Sequence, residues 1–221
     1  MISVAIDGPA GAGKSTIAKL ASKKLGYIYI DTGALYRSIG YYVISKGGDL
    51  DNAESVISYL PEITAEIKFI DEVQHVFING EDVSDKIRTE EVSKAASKVS
   101  AIPKVREFLL EMQRGFAKKY NVIMDGRDIG TVVLPDAQVK IFLTASAEVR
   151  ASRRYKEQVE RGLKVNYDEI LADIKDRDYR DEHREIAPLK PAADSVYLDT
   201  SDFDVEQSAD AVIKTINDKI N

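Results

Sequence analysis

The sequence contains no cysteine at all, and histidine occurs only twice, at His75 and His183. The absence of cysteine excludes disulfides, thiolate catalysis and cysteine metal sites, and it fits a cytosolic protein. The two histidines are far apart in the chain, and neither has a second ligand at a suitable spacing. They therefore favour neither a metal centre nor a catalytic triad.

Long apolar runs are also missing, since none approaches the ~18 residues that a membrane span needs. The N-terminus has no charged segment leading into an apolar stretch, so we expect neither secretion nor membrane insertion. The net charge of −6 at pH 7 argues against broad binding to nucleic acid or acidic membranes. Positive charge is nevertheless concentrated locally, because seven of the twelve arginines lie between Arg150 and Arg184. This concentration predicts a site for a small, highly charged anion.

The first residues combine a strand, a glycine-rich loop and a helix. Residues 2–6 are an apolar, β-branched run typical of a buried strand. The following segment, from Gly8 to Ser15, matches G-x-x-x-x-G-K-[ST] in full. Apolar residues then recur at helical spacing until Gly26. We assign triphosphate binding to Gly8, Pro9, Ala10, Gly11, Ala12, Gly13, Lys14, Ser15 and Thr16.

Each residue type in this loop has a physical reason. Glycines let the backbone wrap a phosphate closely, and the N–H groups at the helix N-terminus face the anion. Lys14 adds a positive charge near the β- and γ-phosphates, and the Ser15 hydroxyl is suited to ligate Mg²⁺. A chance glycine-rich turn is the alternative, which the flanking strand and helix disfavour.

The rest of the chain alternates short apolar strands with helices, which predicts an α/β fold with a five-stranded parallel sheet. The other strands are predicted at 27–30, 121–125, 138–143 and 195–198, and the main helices at 34–45, 103–120, 146–161, 167–183 and 204–219. One region has a different hydrophobic pattern. Residues 63–69 and 73–78 alternate apolar and polar, and Asn79-Gly80 is a turn pair, so we predict an inserted antiparallel β-hairpin at about 62–85.

Two candidate groups follow an apolar strand at the edge where parallel sheets bind ligands. Asp125 ends the strand as a Walker-B acid does and is a candidate Mg²⁺ ligand, together with Ser15. The alternative for Asp125 is capping of the next helix or turn. Arg127 and Asp128 come next in a dense charged turn, for which a merely solvated turn is the alternative.

Arg177, Asp181 and Arg184 are spaced i, i+4, i+7 and are predicted to share one helix face. Two arginines with a carboxylate between them suit phosphate binding and orientation of a polar base. A solvated face with ion pairs is the alternative.

A second arginine group, Arg150, Arg153 and Arg154, falls within one helical turn and suits a mobile lid over transferring phosphates. The alternative is a basic face neutralised by glutamates on the same helix, namely Glu148, Glu157 and Glu160.

No histidine or carboxylate stands out as a necessary general base. An acceptor that is already an anionic phosphate oxygen would need none, because that oxygen is nucleophilic at neutral pH. Phosphoryl transfer would then depend on positioning and charge neutralisation, which many arginines can supply.

Five stretches together resemble the bacterial cytidylate kinase family: GPAGAGKST, DTGALYR, Ala95 to Arg106, DGRDIGTVV and RDYRDEHR. They span nearly the whole chain in the family's order. The resemblance implies a P-loop three-layer fold and transfer of the γ-phosphoryl group of ATP to CMP or dCMP with Mg²⁺. From this resemblance, together with the absence of cysteine and the acidic net charge, we expect a cytoplasmic enzyme that binds neither nucleic acid nor membranes and is a monomer.

Carried over position by position, the resemblance assigns nine residues to the monophosphate site: Thr32, Arg37, Ser97, Arg106, Arg127, Asp128, Arg177, Asp181 and Arg184. Among these, Arg37, Arg127 and Arg184 are similar to phosphate or ribose clamps, Ser97, Arg106 and Asp128 to readers of cytosine, and Arg177 with Asp181 to a sugar-binding pair. Lys14, Arg127, Arg153 and Arg154 are the expected catalytic residues.

The expected organisation is a single kinase unit over residues 1–221. Its core comprises about 1–60, 100–145 and 185–221, with an inserted monophosphate-binding subdomain at about 61–100 and a helical lid at about 146–165. Two other functions stay open at this point. One is a related small-molecule kinase with another acceptor, and the other is a P-loop ATPase or nucleotide switch.

Overall fold

The computed structural model describes residues 1–220, which form two compact units. The first unit contains Met1–Tyr29 and the chain from Lys119 onwards, and the second is Ile30–Lys118. The strands of the described chain are β1 (Ser3–Asp7), β2 (Ile28–Asp31), β3 (Ala65–Ile70), β4 (Val73–Ile78), β5 (Glu81–Asp82), β6 (Val122–Gly126), β7 (Val139–Thr144) and β8 (Val196–Asp199). Its α-helices are α1 (Lys14–Leu25), α2 (Thr32–Ser45), α3 (Ala53–Tyr59), α4 (Glu90–Val99), α5 (Pro103–Lys119), α6 (Ala147–Glu160), α7 (Tyr167–His183) and α8 (Val205–Ile220).

The predicted α/β fold with a five-stranded parallel sheet is confirmed. The strand order is β2-β6-β1-β7-β8, so β1 lies at the centre. It pairs in parallel with β6 on one side and β7 on the other, and β7 pairs in parallel with β8. A strand buried on both faces has no solvent side, which explains the unbroken apolar character of β1.

The core of the first unit forms where α1 and α8 cover this sheet. The sheet contributes buried residues such as Val4, Ile6 and Ile141, and the helices contribute Ile17 and Val212. The side chains from α1 recur at three- and four-residue intervals, as expected of one helix face. The helix predicted at 204–219 from the same spacing is confirmed at Val205–Ile220.

Within the first unit, three central strands end at one edge of the sheet. Asp7, the last residue of β1, lies opposite Gly126 of β6 and Phe142 of β7. The glycine loop therefore leaves the sheet beside the turn that contains Arg127 and Asp128.

A π-helix over Ile129–Val133 follows that turn and is not foreseen by the sequence patterns. Its wide hydrogen bonds run from the Val133 N–H to the Asp128 carbonyl, at 3.2 Å, and from the Leu134 N–H to the Ile129 carbonyl, at 2.7 Å. Segments of this kind are rare and occur frequently at functional sites.

The second unit contains the antiparallel sheet β3-β4-β5. The alternating segments predicted as a hairpin are confirmed as β3 and β4, while the two-residue strand β5 is an addition. Asn79 and Gly80 form the turn between β4 and β5, both with positive φ, at 52° and 83°. The hydrophobic core of the second unit includes Leu35, Ile39, Val76, Val99, Val105 and Leu109.

Helices α6 and α7 pack around a separate small apolar cluster in the first unit, formed by Ala151, Ile170 and Ile174. They confirm the helices predicted at 146–161 and 167–183 within a residue or two. The boundaries proposed for core, insert and lid stay predictions. No helix within residues 1–220 combines the length and the apolar character needed to cross a membrane.

Candidate active site

The glycine loop between β1 and α1 has a backbone that other residue types would not tolerate. Gly8, Gly11 and Gly13 all have positive φ, at 148°, 77° and 85°. A Cβ on Gly8 would lie 1.9 Å from the carbonyl oxygen of Leu143 in β7, which is far inside van der Waals contact. Glycine at position 8 is therefore required by close approach to the neighbouring strand, as well as by its backbone angle.

Lys14 is the first residue of α1, and its ammonium lies inside the loop. The residue is only 5% exposed, and Nζ donates to the carbonyl oxygen of Pro9 at 2.8 Å. Burial and the nearby Arg127 lower the pKa of Lys14 to about 7, against the opposing charges of Asp125, Asp7 and Asp181. A desolvated cation of this kind is stabilised when an anion arrives beside it.

The two predicted metal ligands are in direct contact. The Ser15 hydroxyl donates to Oδ2 of Asp125 at 3.0 Å, and the Tyr29 hydroxyl donates to Oδ1 at 2.8 Å. Asp125 is buried near the end of β6, beside the start of α1. Two oxygen atoms of a type that binds metal ions therefore lie together where the glycine loop continues into α1. The contact with Tyr29 was not predicted from the sequence.

Arg127, which is half-buried, forms an ion pair with the buried Asp181 in the first unit. Nε of Arg127 donates to Oδ2 of Asp181 at 2.9 Å. Burial opposes ionisation of Asp181, but Arg127, Arg177 and Arg184 outweigh it, so the pKa of Asp181 is lowered. Burial and Arg127 also lower the pKa of Arg177, to about 10. Three arginines are therefore held around one carboxylate.

Arg184 belongs to this cluster but not to the helix face on which it was predicted. Helix α7 ends at His183, and Arg184 has an extended backbone with φ −66° and ψ 141°. The prediction of a single i, i+4, i+7 stripe is therefore wrong at its last member. The Arg184 guanidinium instead lies 3.9 Å from Oδ1 of Asp128, and both side chains are buried. The predicted residues after β6 and those of α7 are thus brought together.

The arginines of α6 have different surroundings from one another. Arg150 is buried, and its guanidinium binds both carboxylate oxygens of Asp178 in α7, at 3.1 and 2.6 Å. It also donates to the carbonyl oxygens of Ala145 and Ala10. The Arg150 guanidinium thus connects the glycine loop to α6 and α7. A side chain fixed in this way does not match the prediction that Arg150 belongs to a mobile lid. Its carboxylate partner is on α7, so the alternative of glutamates on α6 does not describe it either.

Arg153 and Arg154, which were predicted to act on the phosphates, are half-buried. Nη2 of Arg153 donates to the carbonyl oxygens of Thr200, at 2.8 Å, and Phe203, at 3.4 Å. Arg154 is close enough to Arg177 to contribute to its lowered pKa. Arg154 therefore lies near the arginine cluster, and Nη1 of Arg153 would be 4.0 Å from a Cβ on Gly13 of the glycine loop. The catalytic role of both arginines stays a prediction.

In the second unit, Thr32 and Arg37 lie at the start of α2 beside Asp31. Asp31 caps this helix, since its Oδ1 accepts the N–H of Ala34 at 2.9 Å, while its Oδ2 binds Nη2 of Arg37 at 2.6 Å. The Gln74 side chain from β4 bonds the main chain of Asp31 twice, accepting from its N–H at 2.8 Å and donating to its carbonyl at 3.1 Å. Gln74 is a second residue that sequence reasoning missed.

Arg106 and Ser97 are the other predicted site residues of this unit. Arg106 is 9% exposed on α5, where it donates to the carbonyl oxygen of Ser100 at 3.1 Å. Its guanidinium also lies 5.6 Å from the ring centroid of Tyr36 in α2. Ser97 is half-buried on α4. Tyr36 and Gln74 have no local signal in the sequence, because their roles depend on residues distant in the chain.

Comparison with known proteins shows what the chain as a whole is similar to. The family model described as cytidylate kinase matches residues 4–218. The cytidylate kinase of Caldicellulosiruptor saccharolyticus is 50% identical over 96% of this chain and 94% of its own length. That of Geobacillus sp. (strain WCH70) is 47% identical over 99% of this chain and 98% of its own.

A solved structure of an uncharacterized protein from Eubacterium ventriosum shares the fold, with a TM-score of 0.51 at 14% identity, over 98% of this chain and 99% of that one. The fold is thus found at low identity, whereas the two kinases match at about half of all positions from end to end. With a phosphate loop, a strand-end carboxylate and an arginine cluster at one sheet edge, the chain belongs to the cytidylate kinase family.

Proposed function

We propose that the protein transfers the γ-phosphoryl group of ATP to CMP or dCMP, giving ADP and CDP or dCDP, as a step of pyrimidine nucleotide metabolism. The observation that supports this most directly is electrostatic. The ammonium of Lys14, in the glycine loop, interacts with both Arg127 and Asp181 of the arginine cluster. A site for one nucleotide's phosphates and a site for a second anion therefore share one buried environment in the first unit.

On the ATP side, the loop residues Gly8 to Thr16 are proposed to bind the triphosphate through the main-chain N–H groups that all of them except Pro9 carry, and through the positive end of α1. Lys14 would place its charge against the β- and γ-phosphates. Its present partner is a neutral carbonyl oxygen of Pro9, which a phosphate oxygen can replace at an electrostatic gain. Arg153 and Arg154 are proposed to neutralise charge on the transferring group.

The residues present also fit a magnesium ion. Ser15 and Asp125 supply a hydroxyl and a carboxylate oxygen in mutual contact, which are ligand types that Mg²⁺ prefers. In this proposal Ser15 and Asp125 would hold Mg²⁺, which when bound offsets the negative charge of the phosphates. Tyr29 orients the carboxylate through its own hydrogen bond to Asp125.

The acceptor is proposed to bind through the nine residues assigned above by family resemblance. Arg37, Arg127 and Arg184 would hold phosphate or ribose, and Arg177 with Asp181 the sugar. Since the attacking phosphate oxygen is already an anion, no side chain has to remove a proton. The chain then contributes alignment of the two phosphate groups and arginine charge around them.

Cytosine recognition is assigned to Ser97, Arg106 and Asp128. Cytosine presents an exocyclic amine donor where uracil presents an acceptor, so a carboxylate such as that of Asp128 distinguishes the two. A buried site built from such hydrogen bonds rejects the wrong base strongly, because its own polar groups would be left unpaired.

The test is ADP release from Mg·ATP with CMP, dCMP, UMP, AMP, GMP or no acceptor. We expect fast release with CMP and dCMP alone. Release that needs no acceptor would replace the proposal with an ATPase. No release with any of the monophosphates would point instead to another acceptor, such as a metabolite hydroxyl.

A further inference from the structure

The carboxylate of Asp7 makes two hydrogen bonds that the proposed mechanism does not use. Asp7 ends β1, directly before the glycine loop, and is 4% exposed. Its Oδ1 accepts the N–H of Ile129 and its Oδ2 accepts the N–H of Gly130, each at 2.7 Å. A single buried carboxylate thus binds two consecutive main-chain amides more than a hundred residues away in the chain.

Those amides are the first two of the π-helix Ile129–Val133. The first N–H groups of a helix have no partner within the helix, and a negative charge beside them is favourable. Helices normally meet this need with a capping side chain just before the first turn. Asp128 occupies that position, but it makes no side-chain capping bond to the turn. Asp7 therefore caps this helix from the neighbouring strand.

The capped segment follows directly on the residues proposed to bind the acceptor. Asp128 has φ −146° and ψ 26°, outside regular helix or strand. Its carbonyl oxygen accepts the N–H groups of Val132 and Val133, while its buried side chain faces Arg184. The Asp128 backbone is thus fixed on its helix side by the same turn that Asp7 holds.

We infer that Asp7 is a positioning residue for acceptor binding: by capping the π-helix it fixes the main chain at Asp128 and so aims the Asp128 carboxylate. The inference rests on the proposed function, because it takes Asp128 as part of the monophosphate site. Asp7 itself is proposed to touch neither nucleotide.

Two further observations support a dedicated contact. Gly130 approaches so closely that a Cβ there would lie 3.4 Å from Oδ2 of Asp7 and 3.2 Å from Cδ of Lys140. Burial also raises the pKa of Asp7 to about 6, despite the two N–H groups that favour its charged form. The carboxylate is thus kept at this place in spite of the cost of its burial, where its two oxygens accept the N–H groups of Ile129 and Gly130.

The side chain of Asp7 can be changed without releasing the glycine loop. The Asp7 main chain is held in the centre of the sheet, in register with Gly126 on one side and Phe142 on the other. Removing the carboxylate should therefore free the segment around Asp128 while the strand and the loop that follows it stay in place. This predicts a larger defect in acceptor binding than in ATP binding, where only the charge of Asp7 near Lys14 is lost.

The experiment compares the full chain with Asp7→Ala and Asp7→Asn. We expect Asp7→Ala to raise the KM for CMP, and the Kd for CMP measured by calorimetry without ATP, on the order of tenfold. The KM for ATP should rise by a smaller factor, because on that side only the charge of Asp7 near Lys14 is lost. Asparagine keeps one acceptor oxygen for the N–H of Ile129 but places an NH2 group against the N–H of Gly130, so that two donors face each other. The KM and Kd for CMP of Asp7→Asn should therefore lie between those of wild type and Asp7→Ala.

Gln138→Ala is the matched control, because Gln138 bonds the other end of β1 through the N–H of Ser3 at 2.7 Å. It should leave both KM values unchanged. If Asp7→Ala does not fold, Asp7→Asn provides the test, with folding checked by circular dichroism for every variant.

Equal losses for ATP and CMP, or unchanged CMP binding in a folded Asp7 variant, would overturn the inference. A wild-type protein that binds CMP but does not phosphorylate it would refute the proposed function, while the CMP dissociation constants of the variants still decide the role of Asp7. A wild type that does not bind CMP would overturn both.

Discussion

Replacing Asp7 by asparagine should remove one pH-dependent contribution to the stability of the protein. Burial raises the pKa of Asp7 from 3.8 to about 6, whereas in the unfolded chain the group titrates near 3.8. Between these values the folded protein binds more protons than the unfolded one. The free energy of unfolding therefore falls as the pH rises through this window, and the contribution of protonated Asp7 is lost above about pH 6.

The size of the effect follows from the shift. A difference of about two pKa units corresponds to about 3 kcal/mol between the extremes of pH. Acid conditions near pH 4 perturb many other carboxylates, so the useful interval is narrower. Between pH 5 and pH 7.5 the two-state linkage relation leaves about 1.4 kcal/mol attributable to Asp7.

The assay is urea denaturation of wild type and Asp7→Asn at several pH values from 5 to 7.5, without nucleotides. The quantity of interest is the difference in slope, which combines the loss of Asp7 with the smaller effect that its charge has on the pKa of Lys14. Asparagine also changes a hydrogen bond, but that change is independent of pH and shifts the whole curve. Parallel curves for the two proteins would refute the raised pKa and the burial on which it rests.

Three other outcomes are expected. Lys14→Ala should reduce turnover by on the order of a thousandfold with little loss of CMP affinity in calorimetry, and an equal loss of CMP affinity would contradict the assigned role. Asp178→Ala leaves the buried Arg150 without its carboxylate and should lower Tm by roughly 10 °C in calorimetric scans, so an unchanged Tm would argue against a buried pair. Gln74→Ala should cost about 1–3 kcal/mol in urea denaturation by removing two bonds to Asp31, and Gln74→Glu, which accepts but cannot donate, should recover only part of it.

Features that depend on residues close together in the sequence could be predicted well. The glycine loop followed by Lys14 and Ser15 lies between β1 and α1 as expected, because strand, loop and helix signals are contiguous there. The alternation in residues 63–78 likewise predicts β3 and β4, since a half-buried antiparallel strand must alternate. The two-residue strand β5 has too few residues to show a period.

Long-range pairings could not be predicted, because spacing along one helix does not reveal a partner on another element. Arg150 was interpreted from its neighbours in α6, whereas its carboxylate partner Asp178 is on α7. The spacing from Arg177 and Asp181 places Arg184 on the α7 face, although both the predicted and the observed helix end one residue earlier, at His183. Asp7 has the weakest signal of all, since an acid that ends a strand is common and its partners lie beyond residue 128.

The charge pattern of the first-unit site bears on the choice of acceptor. Arg127, Arg177 and Arg184 outnumber the carboxylates that hold them, Asp128 and Asp181. The pKa of Arg177 is lowered to about 10 by burial and by Arg127, so positive charge crowds there before any ligand arrives. Adding a neutral hydroxyl compound would leave that crowding unrelieved, whereas a phosphate dianion removes it. The arginine cluster therefore favours a substrate that carries negative charge, as a nucleoside monophosphate does, and transfer to such a substrate needs no general base.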